Sequence, residues 1–455
     1  MSRARQVPGL PGGVPGGAGH RGAWGRAWDG ADRPAQSRRA MTSAAGVLVV
    51  IAVALSPMSY FRLQGIYLTA SDAATMLAFV LLLATGRLPL YFFGAATSYW
   101  YFSFLLFCGG LALGSVVNGA PAALASVYLQ YFFSLIILPM VIAGRSYPEI
   151  VSLIKVLIAA LVAVMLFGIY VVHFVDEPSM RLVSGSGRLR SLIERENECA
   201  ALGAVGMVFV LGLYLLGHLR IIWLVISMPA LGYGVLLTGS NSGLIVSVLG
   251  TLSIVLLCGS KKHGVITLAI ILLCAVIALQ FGEAFLPEVF QKRVMNALVT
   301  QDVSEAGTFE DRAYLLGEAL ETARRTLVIG LGADQYREFS AHGAPVHNVY
   351  LLILTEGGAV SLFGLIGLQL TGIFVAVQAM RADGSRKVGA VTVTLLLIFA
   401  LMLNMFPTFY ARFWNVPVIL AIALSASRLM APTKTSPRTS RPDPLGERAI
   451  RRLDR

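Results

Sequence analysis

Charged side chains are scarce in this chain of 455 residues. Asp, Glu, Lys and Arg make up 13% of the sequence, hydrophobic residues make up 56%, and the mean hydropathy is +0.74. A soluble protein carries about 25% charged residues. The chain therefore has too little polar surface for an ordinary water-soluble domain. The composition predicts an all-α polytopic membrane protein.

Cysteine is also scarce. The chain has four cysteines, all in apolar stretches: Cys108, Cys199, Cys258 and Cys274. No two of them have the spacing of a metal-binding pair, and they give no indication of the redox compartment.

Positive charge is in excess, but it is concentrated at the two ends. Residues 1–40 carry seven Arg and two Asp, and residues 431–455 carry one Lys, six Arg, two Asp and one Glu. These tails supply most of the net charge of +12. Basic residues beside a membrane span are first a topology signal, so membrane lipids are expected as partners and nucleic acid is not.

The N-terminal tail, residues 1–42, is rich in Gly, Pro and Arg and has no periodicity. This composition predicts disorder. Met41 begins a stretch that resembles an ordinary membrane-protein N-terminus. Whether residues 1–40 are expressed or come from a mis-assigned start stays open.

Apolar stretches are the dominant feature of the rest of the chain, and a membrane helix needs about 20 such residues. They form two blocks, residues 43–281 and residues 347–430. Twelve candidate spans follow in order: 43–59, 72–86, 97–117, 121–143, 149–174, 197–217, 219–238, 242–259, 263–281, 348–378, 388–406 and 409–430. Alternate short connections carry Lys or Arg, which by the positive-inside rule places both termini in the cytoplasm.

Two longer connections then fall on the outer side, at about 175–196 and 282–346. The second is acidic, with six Lys or Arg against ten Asp or Glu. Five of its apolar residues recur at helical spacing: Ala313, Leu316, Leu320, Ala323 and Leu327. This spacing predicts an amphipathic helix over 309–327 that lies against the membrane domain. Arg312 stands in its first turn, where a cation is not favoured, which is unusual for a purely structural residue.

His347 and Asn348 stand where this loop meets the tenth span. His347 has two interpretations. It ends the loop at headgroup level and is solvated by water, or it acts as a base near neutral pH. Asn348 suits the N-cap of the tenth helix, because Asn is favoured at that position.

Glu356 lies in the apolar run of the tenth span, where an acid is costly and often functional. It follows His347 by nine residues, which is about 180° around an ideal helix. The two side chains share a face only if the helix is interrupted, and Gly357-Gly358 allows an interruption. Structural and functional roles for Glu356 both stay open.

The polar motifs occur in an order that resembles the bacterial O-antigen ligase and O-antigen polymerase superfamily of lipid-linked glycan transferases. The resemblance covers about residues 43–430. Its pieces in order are Arg188 and Arg190 before Asn197, a Thr-Gly-Ser turn at 238–240, Arg312 opening a helix, a Gly330-x-Gly332 turn, and His347-Asn348 before Glu356-Gly357. The chain departs from the family at Asn241, where many members have Arg. The missing charge is then absent or comes from Arg188, Arg190 or Arg195.

The resemblance implies a GT-C-like glycosyltransferase in the inner membrane, with a large helical periplasmic loop between spans nine and ten. The donor would be a glycan on undecaprenyl diphosphate. The acceptor hydroxyl would belong to lipid A-core in a ligase, or to another lipid-linked glycan in a polymerase. The sequence does not separate these two variants of lipopolysaccharide or exopolysaccharide biosynthesis.

The resemblance also assigns roles to residues. His347 would be the catalytic base, with Arg312 as the second catalytic residue. Arg188 and Arg190 would bind the diphosphate, because guanidinium groups bind phosphate oxygens in bidentate fashion. Three residues would support the site: Asn197, Asn348 and Glu356.

No cofactor and no metal are expected. Four acids of the second outer loop nevertheless leave a metal site open: Asp302, Glu305, Glu310 and Asp311.

A polysaccharide secondary transporter or flippase is the rival from another class. Twelve spans with both ends inside are common in transporters, which are often built from two related halves with matching broken helices. No matching halves are apparent here, and the polar clusters lie in the outer loops. This distribution favours the enzyme.

Overall fold

The computed structural model describes residues 35–63, 68–118, 121–285, 287–291, 309–406 and 412–430. Most of the two basic tails lies outside these ranges. So do residues 292–308, with Asp302, Glu305 and Thr308, the Thr that precedes the predicted loop helix. The side chains of Glu310 and Asp311 are not described either.

The described chain is almost entirely helical. We label its helices α1 Ala35–Leu55, α2 Ala70–Ala84, α3 Thr97–Asn118, α4 Pro121–Phe132, α5 Leu138–Ile142, α6 Tyr147–Phe174, α7 Glu196–Leu215, α8 Ile221–Leu237, α9 Asn241–Cys258, α10 Lys261–Phe285, α11 Phe309–Arg325, α12 Val349–Arg381, α13 Arg386–Met402 and α14 Arg412–Leu429. Single turns lie at Gly94–Ala96, Glu288–Phe290 and Tyr336–Phe339, and a π-helical turn at Phe133–Ile137 joins α4 to α5. Two short strands, Arg62–Leu63 and Leu68–Thr69, pair antiparallel.

Every one of the predicted spans contains a helix. Among the described residues, six stretches are long and apolar enough to cross a membrane: Gly94–Asn118, Pro121–Ile142, Tyr147–Phe174, Glu196–Leu215, Asn241–Cys258 and Val349–Arg381. Four shorter apolar helices accompany them: Met41–Leu55, Ala70–Ala84, Ile221–Leu237 and Trp414–Leu429. The chain is therefore a helical multi-pass membrane protein. The count of twelve crossings stays a prediction.

The first helix begins earlier than expected. α1 starts at Ala35, inside the tail that the composition predicted to be disordered through residue 42. The stretch before Met41 contains two Ala and two Arg between Ala35 and Ala40. Both residue types propagate a helix well, so the apolar helix extends backwards through them.

α7 lies at the centre of the bundle. In its most apolar stretch of 18 residues, 78% is buried, whereas 44–61% is buried in the corresponding stretches of the other five long spans. It packs against α6, α8, α9 and α13. A central helix fixes the position of its own ends, so the start of α7 is a rigid support for polar residues.

α3 and α12 pack closely through small residues. A side chain at Gly364 would collide with the backbone of Phe107, and one at Gly114 would lie 2.8 Å from the carbonyl oxygen of Glu356. The Ser361 hydroxyl donates to the Phe107 carbonyl at 2.7 Å. Small residues allow close backbone approach between membrane helices, where packing rather than the hydrophobic effect drives association.

The π-helical turn has a local cause. Pro139 has no N–H to offer the carbonyl of Leu135, four residues earlier. Trp100 Nε1 donates to that carbonyl instead, at 2.7 Å. A tertiary hydrogen bond thus replaces the missing helical one and ties the α4–α5 unit to α3.

Candidate functional site

Three consecutive residues at the start of α7 connect the separate parts of the candidate site. Asn197 contacts Arg188 and Glu196 contacts Arg190. Arg195, the N-cap residue, acts electrostatically on His347. Arg188, Arg190 and His347 therefore all interact with residues at the start of α7.

Arg188 is buried, with 9% of its surface exposed. Its Nε donates to the Thr238 carbonyl at 2.7 Å, and Nη2 donates to Asn197 Oδ1 at 2.8 Å. Thr238 opens the Thr-Gly-Ser turn, so a single guanidinium joins the first outer loop, that turn and the start of α7. The sequence predicted that Arg188 binds diphosphate. In the structure its described contacts are with protein groups.

Arg190 is held in the same loop by a different partner. Its Nε and Nη2 both donate to Glu196 Oε1, each at 3.0 Å, and Nη1 donates to the Met180 carbonyl at 3.3 Å. The pair is partly exposed, with 32% of the Arg190 side chain and 15% of the Glu196 side chain accessible. A phosphate would have to compete with a carboxylate for this guanidinium.

His347 is half-buried in the connection just before α12. Its Nδ1 is buried and has no hydrogen-bond partner within the described part of the chain. Burial, and then the positive charges of Arg312 and Arg195, lower the pKa of His347 to about 4. The imidazole is therefore neutral at physiological pH, and with its pKa well below neutral it is a weaker base than the ordinary histidine that the sequence led us to expect.

Arg312 and Arg195 come to His347 from different parts of the chain. Arg312 lies in the first turn of α11, and Arg195 caps α7. From the sequence, Arg188 and Arg190 were expected to bind the diphosphate, and Arg195 was only a substitute source of charge. The signal that favours Arg195 is its place two residues before Asn197, at the N-terminal end of α7.

α12 is broken at Gly358, and the break reverses the chain. Gly358 has φ 66° and ψ −172°, far from helical values. Tyr350 Oη donates to Gln369 Oε1 at 2.9 Å, although 19 residues of straight helix span about 28 Å. The segment before Gly358 must therefore fold back along the segment after it. Gly357-Gly358 signalled an interruption, but not this reversal.

The fold-back sets the position of His347. Asn348 caps the first part of α12, because its side chain accepts from Leu351 N at 3.0 Å. The Asn348 amide also donates to Asn404 Oδ1 at 3.1 Å, and Val349 N donates to the Leu403 carbonyl at 2.7 Å. His347 is thereby held beside the end of α13.

The backbone groups released by the break are satisfied by the loop that follows α11. Leu331 N donates to the Thr355 carbonyl at 2.9 Å, and Gly332 N donates to the Glu356 carbonyl at 2.8 Å. In return, Ala359 N donates to the Leu327 carbonyl at 2.7 Å. Irregular backbone at membrane depth is tolerated only when protein groups satisfy it in this way.

Glu356 supports this junction. It is 7% exposed, and its Oε1 accepts from Tyr336 N at 3.2 Å. Its carbonyl accepts from Gly332, as described above. A side chain at Gly330 would collide with the same carbonyl. The described contacts of Glu356 are thus with the Gly330–Tyr336 segment and not with His347.

Glu318 of α11 fixes the remainder of the loop. Its carboxylate accepts from Ala341 N at 2.8 Å and from the Ser340 hydroxyl at 2.7 Å. Burial raises the pKa of Glu318, but these hydrogen bonds, with that from Tyr336, lower it below its ordinary value overall. The segment between α11 and His347 is therefore held by hydrogen bonds to Glu318 of α11 and to Glu356 of α12.

A groove of about 450 Å³ runs along another side of α11, lined by residues including Tyr314, Glu321 and Phe339. None of its lining residues belongs to the predicted site. The residues around His347 are the better guide to function, because the groove contains no histidine. Among the described residues, no group of acids, histidines and cysteines is placed to hold a metal ion.

Comparison with known proteins agrees with the resemblance drawn from the motifs. Residues 226–367 match the family model described as O-Antigen ligase, so this part of the chain is similar to that family. The matched range includes the Thr-Gly-Ser turn, Arg312, His347 and Glu356. No curated protein matches the chain.

Proposed function

We propose that this protein is an inner-membrane glycosyltransferase of the O-antigen ligase type. It transfers a glycan from undecaprenyl diphosphate to an acceptor hydroxyl in lipopolysaccharide or related surface polysaccharide synthesis. A GT-C-like arrangement of about twelve spans, with both termini cytoplasmic and His347 at the periplasmic face, is part of the proposal. The observation that carries it is a neutral, half-buried imidazole under the influence of two guanidinium groups.

The chemistry needs a base and positive charge at one place. The acceptor oxygen forms a bond to the anomeric carbon while the bond from that carbon to the diphosphate oxygen breaks. The hydroxyl proton passes to the neutral His347. The diphosphate leaves with the bonding electrons, and Arg312 and Arg195 stabilise its negative charge. No cofactor enters this scheme.

Arg188 and Arg190 have a positioning role in this proposal. Arg188 holds the Thr-Gly-Ser turn against Asn197, and Arg190 holds Glu196. Both contacts fix the start of α7, from which Arg195 projects. This differs from the expectation that Arg188 and Arg190 contact the diphosphate themselves.

Reconstituted protein with a lipid-linked oligosaccharide tests the proposal. Wild type should release undecaprenyl diphosphate, and His347→Ala should abolish the release. His342→Ala is the matched control, because His342 lies in the same loop but packs edge-on against Tyr314. It should keep wild-type activity.

The acceptor distinguishes the two family variants. A ligase should consume lipid A-core, whereas a polymerase should lengthen one lipid-linked glycan at the expense of another. If wild type releases no undecaprenyl diphosphate with either acceptor, but moves the lipid between leaflets, the protein is a flippase and the proposal is wrong.

A further inference from the structure

The apolar stripe of α11 is not where its spacing predicted. The prediction placed Leu316, Leu320 and Leu327 against the membrane domain. In the structure these residues are 40%, 51% and 50% exposed. The packed face is instead formed by Leu315, Ala319 and Ala323, with exposures of 6%, 0% and 4%.

α11 therefore has two apolar faces. One packs on the protein, and the other, which we call the outer stripe (Leu316, Leu320, Leu327, Val328 and Ile329), is uncovered. Leu327, Val328 and Ile329 extend it beyond Arg325, where the helix ends, and Val328 and Ile329 are 74% and 40% exposed. Five adjacent exposed aliphatic residues on one helix and its extension are unusual for a surface that faces water.

The outer stripe is joined to a membrane-spanning helix. Ala359 N, just after the break in α12, donates to the Leu327 carbonyl at 2.7 Å. A side chain at Gly358 would lie 2.7 Å from the Val328 carbonyl oxygen. Below the break, α12 also has an uncovered apolar side, formed by residues that include Phe363 (67%) and Leu370 (55%).

The length of α12 places this junction at the edge of the hydrocarbon layer. Arg381 follows Gly358 by 23 positions, which is a helical rise of about 34 Å at 1.5 Å per residue. The hydrocarbon core of a bilayer is about 30 Å thick. With Arg381 at one boundary, Gly358 and the attached outer stripe lie at about the other.

The charged residues beside the outer stripe also suit a place at the boundary of the hydrocarbon layer. The Arg324 and Arg325 side chains are 81% and 73% exposed, and both form ion pairs with Glu321, which is 53% exposed. These three residues carry a net charge of +1. An exposed apolar stripe flanked by arginines is typical of a helix that lies in the interface of a bilayer with anionic lipids.

We propose that the outer stripe of α11 binds the lipid bilayer itself, with its leucines in the acyl boundary and Arg324 and Arg325 at the phosphate level. The C-terminal end of the helix that carries Arg312 then lies at the membrane boundary, beside Gly358. This inference depends on the chain being a membrane protein and not on the reaction proposed above.

Spin labels on neighbouring residues test the inference. Leu320→Cys and Glu321→Cys differ by one position and about 100° around the helix. Each is made in a Cys274→Ser background, because Cys274 is exposed whereas Cys108, Cys199 and Cys258 are buried. The full chain is reconstituted in phosphatidylethanolamine–phosphatidylglycerol vesicles. Nitroxide relaxation by oxygen, which concentrates in lipid, is compared with relaxation by a water-soluble nickel chelate.

The Leu320 label should be relaxed more by oxygen, and the Glu321 label more by nickel. Across 313–325 the oxygen preference should recur with helical period and peak at 316 and 320. A Leu320 label that prefers nickel places the stripe in water and overturns the proposal. A label shielded from both reagents shows that protein covers the stripe, which also overturns it. If Leu320→Cys does not fold, Leu316→Cys, on the same stripe, replaces it.

Discussion

Removing the charge of Arg312 should raise the pKa of His347. That pKa is lowered to about 4, first by burial, then by Arg312, then by Arg195. Arg312→Gln keeps a polar side chain, although a shorter one, and deletes the larger of the two charge effects. Because the lost charge is positive, the imidazolium form becomes less unfavourable and protonation occurs at higher pH.

The size of the change follows from the total shift. The pKa falls from 6.5 to about 4, and one unit corresponds to about 1.4 kcal/mol. His347 is only half-buried, so solvent screens the charges and the full difference is an upper bound. With burial as the largest cause, we expect Arg312→Gln to raise the pKa by about half a unit to one unit, which is roughly 0.7–1.4 kcal/mol.

The assay is a pH titration of histidine ring signals by NMR, on ¹³C-histidine protein in lipid nanodiscs without substrate. His347→Gln assigns the signal. Arg324→Gln is the matched control, because Arg324 lies on the same helix but its side chain is 81% exposed and pairs with Glu321. It should leave the titration unchanged. If Arg312→Gln leaves the His347 midpoint where it is in wild type, or lowers it, Arg312 does not face the imidazole and the site is wrong.

Three further outcomes follow from the same structure. Gly358→Ala should lower stability by about 1–3 kcal/mol, because φ is 66° and the new methyl would meet the Val328 carbonyl. The control, Gly317→Ala, lies in open space on α11 and should leave the midpoint of thermal unfolding in detergent unchanged or raise it slightly. Arg188→Lys should reduce both activity and stability, the latter by about 1–3 kcal/mol, because one ammonium cannot donate to Thr238 and Asn197 with the same geometry. If activity is lost while the unfolding midpoint stays unchanged, Arg188 instead binds the diphosphate. Glu356→Gln should retain release of undecaprenyl diphosphate, because the amide oxygen can still accept from Tyr336, and a complete loss would give Glu356 a chemical role.

The helices were predictable because a bilayer constrains sequence strongly. A span must satisfy its backbone within the helix and present about 20 apolar residues. Each predicted span accordingly contains a helix, although α1 begins at Ala35 rather than near 43. The hydropathy pattern alone would begin this helix near residue 43, but the good helix formers before Met41 extend it towards the N-terminus.

The partners of the polar residues were less predictable. Sequence shows that Arg188 carries a guanidinium in the loop before α7, and a guanidinium can donate to carbonyl oxygens as well as to phosphate. Its partners, Thr238 and Asn197, come from α8 and α7. These partners of Arg188 depend on how the helices pack, which the sequence does not show. The same packing places Arg195, rather than Arg188, where its charge acts on His347.

The α11 stripe shows a related limit. The 3.6-residue period identifies the apolar side of a helix, but not what covers it. Ala323 was correctly placed in the protein interior, whereas Leu316 and Leu320 are exposed. The small and polar residues that form the real contact, among them Ala319 and Thr322, have weak hydropathy signals and did not stand out.

The exchange of hydrogen bonds at Gly358 restricts how a substrate can reach His347. Lifting the loop after α11 would leave the carbonyls of Thr355 and Glu356 and the N–H of Ala359 unpaired near hydrocarbon. Each such group costs several kcal/mol, so this loop moves with α12 as one body and does not open like a lid. We therefore expect a lipid-borne substrate to arrive sideways, between helices and within the leaflet, rather than from the water above.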